Sequence, residues 1–413
     1  MNQPISTSPS SLSAASALSQ QRKQVVIVGD GVIGKTAALG LAQAGVPVVL
    51  LTPKRNRPAA QLEEWDARVY ALNQGARDLL SSIKVWDALD ASRVAAVEEM
   101  VVKGDTTPAA ARLSFDAYTA RVGALAWIVE DANLHRALDA ALQFAPNIER
   151  IAGNAVQLTV TDAGAQLQLD SGVTLSAELV VGADGGQSWV RGQCDIGLDY
   201  RSYGQRAVVC NFDCEHAHQG VAQQWFTAEQ GIVALLPLAG RRVSLVWSAP
   251  LALAETLMAG TVQELAEQLA PFAGERLGRL TPLPPETARA FPLTLIKPHA
   301  IVAPRVALIG DAAHVVHPMA GHGMNLGFGD AAALIAILGA REGARDCGDA
   351  RLLRRYARAR KEEILLMQLT TDGLARLFEN DIEPLRLLRN AGMHLVDRLP
   401  GLKQRLMAHA LGR

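Results

Sequence analysis

The chain has 413 residues, of which 49% are hydrophobic, and a formal net charge of -1. That length carries one large or two medium domains with a substantial core, and the near-neutral balance argues against nucleic acid as the main partner. Four cysteines in so long a chain point to a reducing compartment, and no apolar stretch approaches the roughly 20 residues of a membrane span.

The start, MNQPISTSPSSLSAASALSQ, is rich in Ser, Ala and Gln and has neither the basic start nor the apolar core of a secretory signal. It reads as a disordered tail over 1–23, and the protein as cytoplasmic. QVVIVG then predicts a buried strand, DGVIGKTAALGLAQAG a turn and helix, and VPVVLLT a second strand, a βαβ opening. Residues 66–92 read as extended and then helical, and 93–118 as less regular. DANLHRALDAALQFA carries Leu134, Leu138 and Leu142 at helical spacing behind Asp131. Short alternating segments over 151–177 lead to a buried strand, ELVVGADG. AVVCNFDC, GIVALLPL and RRVSLVWS alternate as strands, 253–276 reads as one helix, and the chain is helical from 350 onward.

Cys210, Cys214, His216 and His218 hold zinc-type donors in a short stretch. On an extended strand, however, the two thiols stand roughly 13 Å apart, too far to share one tetrahedral ion. No metal site is expected.

Three apolar strands end in glycine: VVIVG, LVVGADG and VALIGD. In open α/β sheets ligands gather beyond the carboxyl ends of the strands, so these ends predict one nucleotide site built from separated segments. Gly29, Gly31 and Gly34 fit the dinucleotide fingerprint. The same residues, GDGVIGKT, also fit a phosphate loop with Lys35 and Thr36 in the phosphate and magnesium positions. Against the dinucleotide stands Thr52, where an acid usually ends the second strand; against the phosphate loop stands the lack of any switch or sensor element. The run GDAAHVVHPMAGHGMNLGFGD over 310–330 joins a strand end to an apolar helix through many glycines, a turn suited to bringing backbone N–H groups against a ligand.

In order, WDARVYAL (65–72), GADGGQSWVR (182–191) and GDAAHVVHPMAGHGMNLG (310–327) follow the first glycine loop. A basic helix containing Tyr356, then TDGLARLFEND, PLRLLRNAGM and LPGLKQRLMAHALG, complete the series. This series resembles the group A flavoprotein aromatic hydroxylases, and within them the ubiquinone-biosynthesis branch of the UbiH/UbiF/VisC type, from about residue 24 to the C-terminus. The resemblance implies a Rossmann-like FAD-binding α/β domain built from discontinuous segments (24–92, 119–195 and 290–345). It also implies a mostly antiparallel β-sheet substrate domain (93–118 and 196–289) and C-terminal helices (346–413).

It further implies that Gly29, Gly31 and Gly34 cradle the FAD pyrophosphate and that Arg68 lies along the FAD. Asp184 and Gly185 are associated with FAD and the nicotinamide donor, and Gly310 and Asp311 with the ribityl or diphosphate. Pro318, Gly321, Gly323, Met324 and Asn325 face the isoalloxazine in this scheme. The implied reaction is hydroxylation of a prenylated phenol or quinol with NADH or NADPH and oxygen. A related hydroxylase of another aromatic or polyketide substrate, a P-loop nucleotide-binding protein and a non-catalytic flavin-binding accessory subunit are the competing readings.

No catalytic base is assigned; His314, His317 and His322 are candidates by position. Asp30 and Lys35 stand where the family has small residues, and His322 where it commonly has Gln. Lys35 is therefore expected to offset Asp30 and the missing ribose carboxylate. RLLRRYARARKEE reads either as a solvated face with Arg–Glu pairs or as a contact for anionic lipid at the inner face of the membrane. Assembly with other ubiquinone-biosynthesis proteins is a further expectation.

Overall fold

A computed structural model describes residues 23–54, 64–104, 112–317, 322–343 and 345–379. The expected tail up to residue 22, the motifs beyond 379, and Pro318 and Gly321 lie outside the described residues.

The opening folds as a βαβ unit: strand Lys23–Val28, helix Val32–Gln43 and strand Val48–Thr52. Val25, Val26 and Ile27 are fully buried, as suits a strand covered on both faces of a parallel sheet. Ile27 sits opposite Leu50 on one side and opposite Val181 of strand Thr174–Gly182 on the other, both in parallel register. Strand Val306–Leu308 extends the parallel run beyond Thr174–Gly182, and Ile148–Ala152 extends it beyond Val48–Thr52. The three strands that end in glycine are thus immediate neighbours, with their carboxyl ends side by side.

A second sheet is organised around the long strand Leu198–Cys214. Its antiparallel partners include Arg242–Pro250, which in turn pairs with Gly231–Leu238 and then Val221–Thr227. Helices Leu251–Ala259 and Val262–Leu277 pack on it. Phe272 meets Trp225 edge-on at 5.6 Å and Trp247 at 6.0 Å in the core between them. The sequence suggests one helix over 253–276; the structure has two. Gly260 ends the first, and Thr261 starts the second with a capping box, its hydroxyl accepting from Glu264 N at 3.2 Å while Glu264 accepts from Thr261 N at 2.7 Å.

Residues 93–104 and 112–118 are more regular than their sequence suggests. Val94–Val97 joins Val69–Leu72 and Ala126–Glu130 in a small third sheet, while Glu99–Lys103 and Arg112–Asp116 extend the second. Strand Arg289–Pro298 hydrogen-bonds along Leu198–Val209. Because ladder bonds satisfy obligatory backbone groups, a domain boundary at 290 would cut through this strand.

Candidate functional site

The first loop is shaped by close approach of backbone to backbone. Gly29 has φ +113°, and its N–H donates to Leu51 O at 3.2 Å, while Ala183 N–H donates to Val28 O at 2.8 Å. A Cβ on Gly29 would stand 2.3 Å from Ala183 O, and one on Gly34 would stand 2.1 Å from Gly29 O. Gly31 differs: a Cβ there would meet nothing within 4 Å. Gly31 is also the N-cap of helix Val32–Gln43 and supplies no side-chain cap, so the first-turn N–H groups open onto free space. Two glycines therefore serve packing, and the third leaves room for an anion at a helix start.

The second and third loops are tied to the first and to each other. Ile309 N–H donates to Gly182 O at 2.9 Å, and Ile33 packs against Gly310 and Gly327. Asp184 accepts from Ser188 Oγ at 2.6 Å and from Val190 N at 3.0 Å, so its carboxylate fixes the turn after Gly185. Arg191 is buried and bridges two loops, donating to Gly186 O at 2.7 Å and Ala312 O at 3.0 Å.

Arg68 and Asp311 stand near these loops, close enough for each charge to act on the other. Both are solvent-exposed. Crowding by protein nevertheless raises the Asp311 carboxyl above its ordinary value, against the opposing pull of His314 and Arg68. A carboxylate that touches water yet is poorly solvated belongs to a concave wall. Arg68 stands over the rings of Tyr70 (5.6 Å) and Phe291 (5.8 Å), and Tyr70 Oη donates to Asp131 at 2.8 Å. Asn325 is held through its side chain, accepting from Asn73 N at 3.0 Å and donating to Ala71 O at 2.8 Å. Its amide therefore anchors the start of helix His322–Gly339 to the Val69–Leu72 strand. Gly323 and Met324 lie in the first turn of that helix. The side chain of His322 lies outside the described residues.

Under the 310 loop sits a buried charge network. Asp330, fully buried, accepts from Gly310 N at 2.9 Å, His314 Nε2 at 2.7 Å and Arg360 Nε at 2.7 Å. Arg360 comes from the long helix Ala350–Glu379 and also donates to Leu326 O at 3.1 Å. Burial opposes a charge on His314, but contact with Asp330 outweighs it and raises the imidazole's pKa. The same partners hold Asp330 below its ordinary value in spite of burial.

His317 has a different environment. Its Nε2 lies 3.2 Å from Gln205 Oε1, its ring stands edge-on to Tyr203 at 4.8 Å, and burial alone lowers its pKa to about 4. Between the two histidines, Val315 exchanges backbone hydrogen bonds of 3.0 Å with Ile296 of the second sheet. The turn is thus the seam between the two sheets.

Two expectations are corrected by the geometry. Lys35 does not face Asp30 or the loop. It is buried, with Nζ 2.7 Å from Asp139 Oδ2 and 3.1 Å from His135 Nδ1 on helix Asp131–Gln143. A phosphate-loop lysine has to reach the phosphates, so the P-loop reading loses its central residue. Lys35 likewise cannot stand in for a ribose carboxylate. Thr52, in contrast, keeps a buried hydroxyl with no partner among the described residues at the end of its strand. Arg191, Asp330 and Arg360 are the residues sequence reasoning missed. The available signal was a lone aspartate inside the apolar helix GFGDAAALIAILG, which demands a buried partner. Cys210 and Cys214 lie in the second core, their thiols pushed by burial to about 11 and about 12. Both ring nitrogens of His218 are engaged by backbone, at Leu238 O (2.8 Å) and Gly220 N (3.0 Å).

The open space at Gly31 and the Thr52 hydroxyl, unpartnered among the described residues, fit a dinucleotide laid across the strand ends. Comparison with known proteins agrees. The family model described as FAD binding domain matches residues 22–367. The chain is 35% identical to 3-demethoxyubiquinol 3-hydroxylase of Escherichia coli over 402 residues, covering 96% of this chain and 100% of that one. It is also 35% identical to ubiquinone hydroxylase UbiL of Rhodospirillum rubrum, covering 98% and 93% of the two chains. Among solved structures, p-nitrophenol 4-monooxygenase PnpA of Pseudomonas putida superposes with a TM-score of 0.75 at 19% identity, covering 94% of this chain and 98% of that one. HpxO of Klebsiella pneumoniae, complexed with FAD and uric acid, gives 0.72 at 18% identity over 93% and 97% of the chains, a likeness of fold. The chain belongs to the FAD-binding-domain family of flavoprotein monooxygenases, in the branch that holds the ubiquinone-biosynthesis hydroxylases.

Proposed function

We propose that this chain hydroxylates the ring of a prenylated phenol or quinol precursor of ubiquinone, with FAD as cofactor, NADH or NADPH as reductant and oxygen as oxidant. The observation that carries this reading is the convergence of three strand-end loops on the open space at Gly31, in a chain that matches a ubiquinol hydroxylase from end to end. FAD, when bound, supplies the electron transfer and oxygen activation that side chains cannot.

In this reading the N–H groups at the start of helix Val32–Gln43 hold the diphosphate, with Gly31 leaving the approach clear. The Thr52 hydroxyl takes the place of the usual acid toward the ribose. Asp311 and Arg68 bind from the cleft wall. Gly29, Gly34, Asp184 and Gly185 act on loop shape. Gly323, Met324 and Asn325, at the start of helix His322–Gly339, present backbone to the flavin ring, where N–H groups at a helix start favour its anionic reduced form; Pro318 and Gly321 share this role by the resemblance alone. His317, neutral at ordinary pH, is better suited to orienting neighbours than to donating a proton. We further place the work in the cytoplasm at the inner face of the membrane, alongside other ubiquinone-biosynthesis proteins.

Complementation tests the reading. Expressed in strains that each lack one ubiquinone ring hydroxylase, the gene should restore ubiquinone in at least one of them. Rescue of none, with full-length flavin-loaded protein present, would refute it.

A further inference from the structure

We infer that the solvent face of the long helix Ala350–Glu379 is a docking surface for anionic phospholipid. One face of this helix is fixed into the molecule. Leu353, Tyr356, Arg360, Ile364 and Met367 are buried at helical spacing. Tyr356 Oη donates to Leu308 O at 2.8 Å, and Arg360 holds Asp330. The orientation of the opposite face follows from these anchors.

That outer face has an ordered composition. Arg351, Arg354, Arg355, Arg358 and Lys361 are all exposed, with Glu362 as the exposed carboxylate among them. None of the five cations lies within ion-pair distance of a carboxylate among the described residues. Arg360 makes the ion pairs of this helix's basic segment, with Asp330 and Glu363, and it is on the buried side. One to two turns further on, Leu365, Leu366 and Leu369 are 42%, 42% and 63% exposed.

A helix face that only meets water is stabilised by alternating Glu–Lys or Glu–Arg pairs, and like charges at these spacings repel. Five cations with no ion-pair partner among the described residues, followed by three exposed leucines, suit a different environment: negative headgroups for the first and the acyl boundary for the second. From Arg351 to Lys361 the helix runs roughly 15 Å, and Leu369 lies roughly 12 Å beyond, so an oblique helix can satisfy both zones at once. An acidic protein partner would match the cations and leave the leucines unexplained. Because Arg360 ties the same helix to the loop at Gly310, docking would fix the direction in which the cleft faces the bilayer. The purpose of such docking rests on the proposed lipid-borne substrate; the docking itself does not.

The test is co-sedimentation of the full-length, FAD-loaded protein with vesicles of phosphatidylcholine alone or mixed with phosphatidylglycerol. We expect binding to the mixed vesicles, little to the neutral ones, and loss of binding as salt is raised. Each cation near an anionic surface contributes roughly fivefold in affinity, so R351Q/R355Q/R358Q should weaken binding by roughly 100-fold. Leu365→Gln with Leu369→Gln should weaken it about tenfold or more, in a manner that salt does not reproduce. Equal binding to neutral vesicles, no binding to either, or full binding by the triple variant would each overturn the inference. Oxidation of NADH or NADPH stimulated by a detergent-dispersed prenylphenol should be unchanged in the triple variant. Vesicle binding without that stimulation in any variant would refute the proposed function and leave the surface standing.

Discussion

The loop from Gly29 to Gly34 is held by backbone packed on backbone, whereas the loop that starts at Gly310 is held by charge. In the first, Ala183 and Gly29 fill the positions that a Cβ would need, and the contacts that shape it are backbone ones. In the second, a fully buried aspartate gathers one backbone N–H, one imidazole and one guanidinium. Both loops line one cleft, yet they should fail under different insults. The first should be sensitive to a single methyl group and indifferent to pH. The second should tolerate small changes of volume and respond to any loss of charge balance.

The largest effect is expected at Asp330. Asp330→Ala leaves Arg360 and His314 without their shared anion and Gly310 N–H without its acceptor, which should cost about 3–5 kcal/mol in denaturant unfolding. A change below 1 kcal/mol would mean that the network is not what holds this loop. Next comes Gly34→Ala, whose added carbon meets backbone with little freedom to move. Overpacking of this kind should cost about 1–3 kcal/mol with or without FAD. Gly31→Ala sharpens the contrast. It should leave the unfolding of the flavin-free protein unchanged and weaken FAD binding by roughly tenfold, since the methyl enters the space assigned to the diphosphate. Equal effects of the two alanines on the flavin-free protein would erase the distinction between packing and ligand glycines.

The smallest effects are in pH, and two histidines three positions apart should titrate in opposite senses. His314 has a raised pKa, so its contribution to stability is complete below pH 6.5 and is lost as pH rises through its folded value. His317 has a pKa lowered from 6.5 to about 4, so its contribution is complete above pH 6.5 and is lost as pH falls toward about 4. Between pH 7 and pH 6 the His317 part is roughly 0.7 kcal/mol. Unfolding curves of His317→Gln should lack that decline, and those of His314→Gln should lose least relative to wild type at the alkaline end. The same slope in both variants would contradict the two environments assigned here.

The sheet that carries the cleft was legible because buried parallel strands are continuous apolar runs, and VVIV and ELVVG leave no alternative face to solvent. The first glycine loop was legible as a pattern but not as a set of roles, since Gly29, Gly31 and Gly34 look alike until their neighbours are known. Lys35 misled for a physical reason. A lysine beside a glycine loop suggests phosphate, and nothing local reveals that Asp139 on another helix takes its charge. Arg191 and Arg360 were hidden in the same way, because their acceptors Ala312 and Asp330 lie far along the chain. The split of 253–276 is written in Thr261 and Glu264, which form a capping box directly after Gly260.

Product analysis under isotopically labelled oxygen tests the central claim most directly. The FAD-loaded protein, given NADH or NADPH and a short-chain prenylphenol, should yield a product with one labelled oxygen atom on the ring. Gly31→Ala should yield less of it in proportion to its flavin content. Oxidation of the nicotinamide with no oxygenated product, or a hydroxyl whose oxygen comes from water, would contradict the account.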